Sequence, residues 1–198
     1  MAIRKFSTAS ISAGTNKSTK LWDQETFQSG MFALATINLS TSTSSVTFSG
    51  IPSNYTHLQL SINARSASTG GSMRLEFNSD TSGSNYARQL FMGDGASASA
   101  SAANADAVTA AIGDFPVSSS AASVYGAYTI DILDAFSTTK RKTLRSFSGY
   151  DLNGSGYIQF RSCLWTSQSA ITSIRIYEGS GSSFAADSSF MLYGIKAA

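Results

Sequence analysis

The sequence predicts an all-β protein built as an antiparallel β-sandwich, and three observations indicate this class. Apolar and polar residues alternate in many short runs with the two-residue period of half-buried strands. Turn-forming Ser, Thr, Gly and Asn separate these runs, typically after about 8 to 12 residues. No stretch shows a convincing helical period. A chain of 198 residues fits one such domain and can bury a sizeable core.

The alternation is most regular between residues 156 and 176, in the runs GYIQFRSCLW and ITSIRI. The first run alternates between one set of residues, Ile158, Phe160 and Leu164, and another, Tyr157, Gln159, Arg161 and Trp165. This period is typical of a strand with one face buried. Because only the small polar residues TSQSA separate the two runs, we expect them to form an antiparallel hairpin.

The remaining strands follow in order along the chain. They are predicted at Phe32–Leu39, Ser45–Phe48, Tyr55–Arg65, Met73–Phe77, Tyr86–Met92, within Val108–Val117, and at Val124–Leu133, Thr143–Phe147 and Ser188–Ile195. Between them, residues 96–107 read ASASASAANADA, which alternates but lacks side-chain volume. We predict a mobile surface loop there; a close subunit contact is the alternative. Ten or so short strands favour a jelly roll among the sandwich folds.

An extended N-terminal arm is predicted over residues 1–27, followed by a single sandwich domain over residues 28–198. Residues 1–22 carry a charge of +4, which leaves ten basic and twelve acidic residues, or −2, in the rest of the chain. Scattered apolar residues suit an arm that lies on an acidic partner or a neighbouring subunit, with a disordered tail as the alternative. The candidate interface residues are Arg4, Lys5, Phe6, Ile11, Lys17, Lys20, Trp22 and Phe27.

The composition favours a protein that packs against other subunits. The chain has 38 Ser and only 13% charged residues, against roughly 25% in ordinary soluble domains. Surfaces with few charges are easily desolvated, although a secreted domain with a neutral surface is the alternative. The net charge of +2 is too small to indicate a nucleic-acid or membrane partner.

Targeting signals and disulfides are not expected. The start MAIRKFSTAS lacks an apolar signal core, and no apolar run approaches the ~20 residues of a membrane span. Cys163 is the only cysteine, so the chain forms no internal disulfide, which suits assembly in a reducing cytoplasm.

Catalytic residues are hard to assemble from this sequence, and we expect a protein that is not an enzyme. His57 is the only histidine and lies on the polar face of a strand, which favours a surface or interface position. Asp131 and Asp134 are the nearest pair of carboxylates for glycoside hydrolysis. The acids that could complete such a site are Asp94, Glu76 and Glu178, and all of them fit turn or strand-edge positions equally well.

Binding motifs are similarly weak, and no metal or cofactor is predicted. Residues 151–156, DLNGSG, resemble the start of a calcium loop, but Ser162 occupies the twelfth position, so a tight turn is preferred. Lys140–Lys142 with Arg145 is interpreted as a solvated turn. Four aromatic residues could stack on sugars but more readily serve packing: Tyr150, Tyr157, Trp165 and Tyr177.

Six segments taken together suggest a family. They are STKLWDQET, IPSNYTHLQL, FNSDTSGSNYARQL, IDILDAFSTTKRKTLRSFSGYD, GSGYIQFRSCLW and SSFMLYGIKAA. In this order they resemble small virion structural proteins of tailed bacteriophages, especially phages of aquatic bacteria and cyanobacteria. The similarity covers nearly the whole chain and rests on the order of strand motifs and the terminal LYGIK.

This resemblance implies a non-catalytic jelly roll that is assembled in the host cytoplasm and resides in the virion. One expected role is a capsid decoration (cement) protein, a homotrimer whose arm contacts the major capsid protein or other virion proteins. A tail or head fibre module that touches the host surface is the alternative implied by the same resemblance. A free-standing glycan-binding sandwich is a third possibility, and only that role would need a glycan partner.

Overall fold

A computed structural model describes residues 30–69, 71–82, 84–107, 110–121 and 123–196. Within these ranges the chain forms twelve strands, all paired antiparallel, in two sheets. The strands are β1 (Gly30–Asn38), β2 (Ser45–Ser49), β3 (His57–Ala64), β4 (Ser72–Phe77), β5 (Tyr86–Gly93), β6 (Ala98–Ala107), β7 (Ala110–Asp114), β8 (Gly126–Ile132), β9 (Lys142–Asp151), β10 (Gly156–Trp165), β11 (Ser173–Glu178) and β12 (Ser189–Lys196). The predicted all-β sandwich is confirmed.

The core lies between a large sheet and a small one. The large sheet has the order β1-β12-β3-β8-β9-β10-β5-β6, and the small sheet has the order β2-β11-β4-β7. As the alternation of β3 predicts, Leu58, Leu60 and Ile62 are buried, and they share one core cluster with Ile174 and Ile176 of the small sheet. Jelly-roll connectivity stays a prediction. The predicted arm, residues 1–27, lies outside the described residues together with all eight of its candidate interface residues.

The predicted hairpin of residues 156–176 is wrong. β10 pairs with β9 and β5 in the large sheet, whereas β11 pairs with β2 and β4 in the small sheet. Residues 166–172 cross between the sheets, and Ile171 is buried on the way, its amide donating to the carbonyl of Ala135. Alternation reveals a strand but carries no information about which strand it pairs with, and this explains the error.

The prediction of a loop over residues 96–107 is also wrong, because most of this run forms β6 at the edge of the large sheet. β6 pairs with β5 from Tyr86 to Gly93, with one irregularity in register. Backbone hydrogen bonds build a ladder without any contribution from side-chain volume, so a run of Ala and Ser can extend an existing sheet. Small side chains prevent such a run from forming a core of its own, but they do not prevent it from adding a strand to a sheet.

Candidate interaction face

The outer surface of the large sheet carries four large apolar side chains that are about half exposed. They are Phe91 at 58%, Phe147 at 56%, Ile158 at 57% and Phe160 at 47%. Phe160 on β10 lies directly opposite Phe91 on β5 and Phe147 on β9, so the three rings form a row across neighbouring strands. We call these four residues the apolar face and the three phenylalanines the ridge.

The packing of Trp165 explains why β10 turns this side outward. The Trp165 indole is buried, lies 5.2 Å from the ring centroid of Phe77, and donates from Nε1 to Oδ2 of Asp80 at 2.7 Å. Cys163 is likewise buried on that side, with 1% of its surface exposed. Since side chains alternate with a period of two, burying Trp165 and Cys163 forces Ile158 and Phe160 outward.

Polar side chains occupy the inner positions of β10 beneath the ridge. The Arg161 guanidinium is 3% exposed and donates to Oδ2 of Asp114 at 2.9 Å and to Oε1 of Gln159 at 3.0 Å. Gln159 Oε1 also accepts a hydrogen bond from the backbone amide of Asp114. The Tyr128 hydroxyl donates a hydrogen bond to the backbone carbonyl of Asp114 at 2.8 Å. This network gives hydrogen-bond partners to the Gln159 amide group and to Arg161 Nη2, while the buried Arg161 Nε has none among the described residues. The first half of β10 is therefore polar inside and apolar outside, which reverses the usual arrangement.

A groove of about 910 Å³ runs beside the ridge on the outer surface. Gly93, Gly149 and Ile158 are among its lining residues, with Asp94 in the β5–β6 turn and Asp151 at the end of β9 along its border. None of its lining residues, all of them in the described part of the chain, is Lys or Arg. Backbone hydrogen bonds from Ser97 and Ala96 hold the pKa of Asp94 below its ordinary value. The groove is consequently apolar with an acidic border.

Charged residues lie on the other side of the ridge, two positions along the strands. Arg145 on β9 faces Asp131 on β8, and its Nε lies 3.3 Å from Asp131 Oδ2. Asp131 Oδ1 also accepts a hydrogen bond from the side-chain amide Nε2 of Gln59 at 2.8 Å. The Arg145 side chain is still 54% exposed, so its guanidinium is accessible to another molecule.

The outer surface of the small sheet is different in character. Arg175 Nη1 lies 3.3 Å from Glu76 Oε1, and the guanidinium stands over the ring of Tyr177 at 4.7 Å. Arg74 lies opposite Tyr177 in the same sheet. These charged and polar residues suit contact with water, so the apolar face is a feature of the large sheet.

The structure does not gather the candidate catalytic acids into one site. Asp131 lies on β8, Asp94 in the β5–β6 turn, and Glu76 on the small sheet. Glu178 closes the turn after β11, where its Oε2 accepts the amides of Ser180 and Ser182. Asp134 Oδ2 accepts a hydrogen bond from Lys140 at 2.7 Å, which lowers the pKa of Asp134. Each acid has a local structural partner.

The remaining single-residue predictions are partly corrected. His57 is partly exposed, as expected, and its Nδ1 accepts the Asp134 amide at 2.9 Å. Lys142, however, is fully buried, so the interpretation of Lys140–Lys142 as a solvated turn is wrong for this residue. Its Nζ donates to the carbonyls of Ser137, Lys140 and Gln168.

The calcium-like segment forms the tight turn that we preferred. The Leu152 amide donates to the Ser155 carbonyl at 2.7 Å, and Asp151 Oδ1 accepts the Asn153 amide at 2.6 Å. Within the described residues there is no group of three or more His, Cys, Asp or Glu side chains that could hold a metal ion. The same residues contain no helix long and apolar enough to cross a membrane.

The four aromatic residues weighed for sugar stacking do not form one patch. Trp165 belongs to the core, and Tyr177 lies on the small sheet. Tyr150 and Tyr157 form an edge-to-face pair with centroids 5.7 Å apart, at the end of β9 and the beginning of β10. The exposed aromatic row consists instead of phenylalanines. One signal in the sequence could have revealed the outward side of β10. Trp165 shares its strand face with Gln159 and Arg161, so either the tryptophan is exposed or the polar pair is buried, and both arrangements are unusual.

Comparisons with known proteins give no family for this chain. No protein-family model and no curated protein matches it. Among solved structures, a protein of unknown function from Shewanella oneidensis MR-1, SO2946, aligns with 12% identity over 85% of this chain and 77% of that chain. The TM-score of 0.20 is too low to support any argument from this similarity.

Proposed function

We propose that the chain is a structural protein of a bacteriophage particle, in the role of a capsid decoration (cement) protein. In this role the N-terminal arm binds the shell and the sandwich contacts neighbouring subunits. The resemblance of the six sequence segments to virion proteins supports the particle, and the apolar face supports the assembly role. That face is the single observation that carries the proposal, because a contiguous group of exposed large apolar residues marks an interaction surface.

Many weak contacts would give such a protein its effect. Each copy attaches through an arm with four basic residues before Asp23 and through a sheet face with few charges. Copies that contact one another hold each arm near its site, and avidity then stabilises the shell without a strong single site. Apolar contact area of this kind requires little desolvation of charge.

Quantitative mass spectrometry of purified virions tests the proposal. The expected result is an abundance comparable to that of the major capsid protein, because cement proteins cover the shell. An abundance far below that value would contradict the decoration role and support a tail or head fibre module. Absence from the virion would overturn the proposal altogether.

Glycan binding is the second candidate function, and the groove favours it. Phe147 and Tyr157 border the groove with apolar and aromatic surface, while Asn63, Asp94 and Asp151 supply polar groups that could orient a sugar. A glycan-array experiment with the full chain would distinguish this role. Specific binding that is lost in both Phe147→Ala and Asn63→Ala would support it, and a blank array would reject it.

A further inference from the structure

The ridge is accompanied by a second row that has the opposite shape. Two residues away from the ridge on each strand, Ile158 on β10 lies between Gly93 on β5 and Gly149 on β9. The two glycines leave a depression on each side of Ile158, roughly 7 Å from the ridge along the strands. Projecting rings therefore run parallel to a row that contains two depressions.

We propose that two copies of this chain pair face to face about a two-fold axis that runs across β5, β10 and β9. The axis lies over the row formed by Met92, Gln159 and Ser148, which are cross-strand partners midway between the ridge and the glycine row. This inference names the partner of the apolar face, and it rests on the assembly role proposed above.

The symmetry operation places each ridge in the depressions of the other copy. Along β9 it exchanges Phe147 with Gly149, and along β5 it exchanges Phe91 with Gly93. Phe160 then contacts Ile158 of the partner at the centre. A two-fold axis parallel to the strands would instead put ridge on ridge and leave the depressions empty, so the axis across the strands gives the better fit.

The same operation matches opposite charges. Arg145 precedes Phe147 by two residues on β9, and Asp151 follows Gly149 by two, so Arg145 of each copy faces Asp151 of the other. The pairing occurs twice because the interface is isologous. Arg145 can keep its contact with Asp131, since a guanidinium has five N–H donors and more than half of this side chain is exposed.

The available area is sufficient for a stable pair. Eight strands at about 4.8 Å spacing and about eight residues at 3.3 Å give a sheet face of roughly 1,000 Å². A typical stable interface needs roughly 800 Å² per partner. Two sheets packed in this way lie about 10 Å apart, which leaves room for the ridge of each copy.

Charge exchange at the paired positions tests the arrangement, with sedimentation equilibrium of the full chain as the readout. The wild type is expected to form a species of twice the 20.8 kDa chain mass. Arg145→Glu alone and Asp151→Arg alone should each weaken the dimer at least tenfold, because each places like charges opposite one another. An equimolar mixture of the two variants should restore it, because both contacts then join opposite charges. Simple damage to the fold cannot be rescued by mixing.

Changes to the ridge and its depressions provide matched controls. Phe147→Ser should weaken the dimer, whereas Phe32→Ser should not. Phe32 on β1 pairs with Gly194, which pairs with the buried Leu58, so Phe32 lies on the opposite side of the sheet from the ridge. Gly93→Leu should also weaken it by filling a depression; the fold accepts a Cβ there, since the nearest atom lies 3.5 Å away.

The outcomes separate this inference from the proposed function. A monomeric wild type, or an oligomer such as the expected trimer that is indifferent to both charge variants, would overturn the two-fold pairing. If such a protein were still abundant in virions, the proposed virion role would be supported although the two-fold pairing is wrong. A charge-dependent dimer that is absent from virions would sustain the pairing and reject the virion role.

Discussion

Lys142 shows how a single buried residue can join two parts of this fold. Its ammonium group donates to three backbone carbonyls and links the β8–β9 turn to residues 166–172. Burial lowers the pKa of Lys142, and the nearby charge of Asp134 offsets this only in part. The sequence could not reveal this position, because a lysine beside Lys140 and Arg141 has the pattern of a solvated turn.

Replacing Lys142 by Met is expected to destabilise the fold by about 2–4 kcal/mol, because buried carbonyl oxygens lose their donor. Urea unfolding measures the change in the free energy of unfolding. Lys140→Met is the control, with a side chain that is 65% exposed and an expected cost below about 1 kcal/mol. Equal costs for the two variants would show that Lys142 is not the link described here.

Asp80 makes stability depend on pH in the acid range. Burial raises the pKa of Asp80, but hydrogen bonds from Trp165, Ser82 and Asn85 outweigh it and lower the pKa below the ordinary value of 3.8. A carboxylate with a depressed pKa stabilises the fold above its unfolded-state pKa, and this contribution disappears as the pH falls through the folded-state pKa. The ionised form is thus the stabilising one.

We predict that Asp80→Asn is less stable than the wild type at pH 7 and that the difference shrinks steadily below pH 3.8. Thermal unfolding of both proteins across this range provides the measurement. A difference that is constant with pH would mean that the carboxylate charge plays no part in holding the Trp165 indole.

At the scale of the elements, the sequence predicted most strands but not their pairing. The alternation of β3 located the strand and its buried face correctly, since every inward residue there is apolar. Alternation also located β10 and β11, but the predicted pairing of these two strands was wrong, because they lie in different sheets. Backbone partners depend on how residues 166–172 cross the core, and the two-residue period does not encode that path.

Two isoleucines from the predicted hairpin provide a direct test of which side of β10 and of β11 is packed against the core. Ile176→Ala is expected to cost about 2–5 kcal/mol because the side chain is completely buried. Ile158→Ala should change stability by less than about 0.5 kcal/mol, because its side chain is mostly exposed. Urea unfolding at low protein concentration gives both values. Similar losses would mean that β10 turns its apolar side to the core.

At the scale of the whole molecule, the apolar face emerges only once strands distant in sequence are brought together. Phe91, Phe147 and Phe160 belong to three strands separated by 56 and 13 positions along the chain, and each looks like an ordinary core residue in its own run. Their exposure follows from the polar network around Arg161 and Asp114 beneath them. A single strand pattern could not show that none of the described residues forms a layer over this side of the sheet.

The central claim is that this face is covered when the protein assembles, and hydroxyl-radical footprinting of the full chain tests it most directly. Labelling of Phe91, Phe147 and Phe160 should fall as the protein concentration rises, while labelling of Phe32, on the opposite side of the sheet, stays constant. Purified virions should give the protected pattern. Equal labelling of the ridge at every concentration, with no protection on virions, would contradict the account.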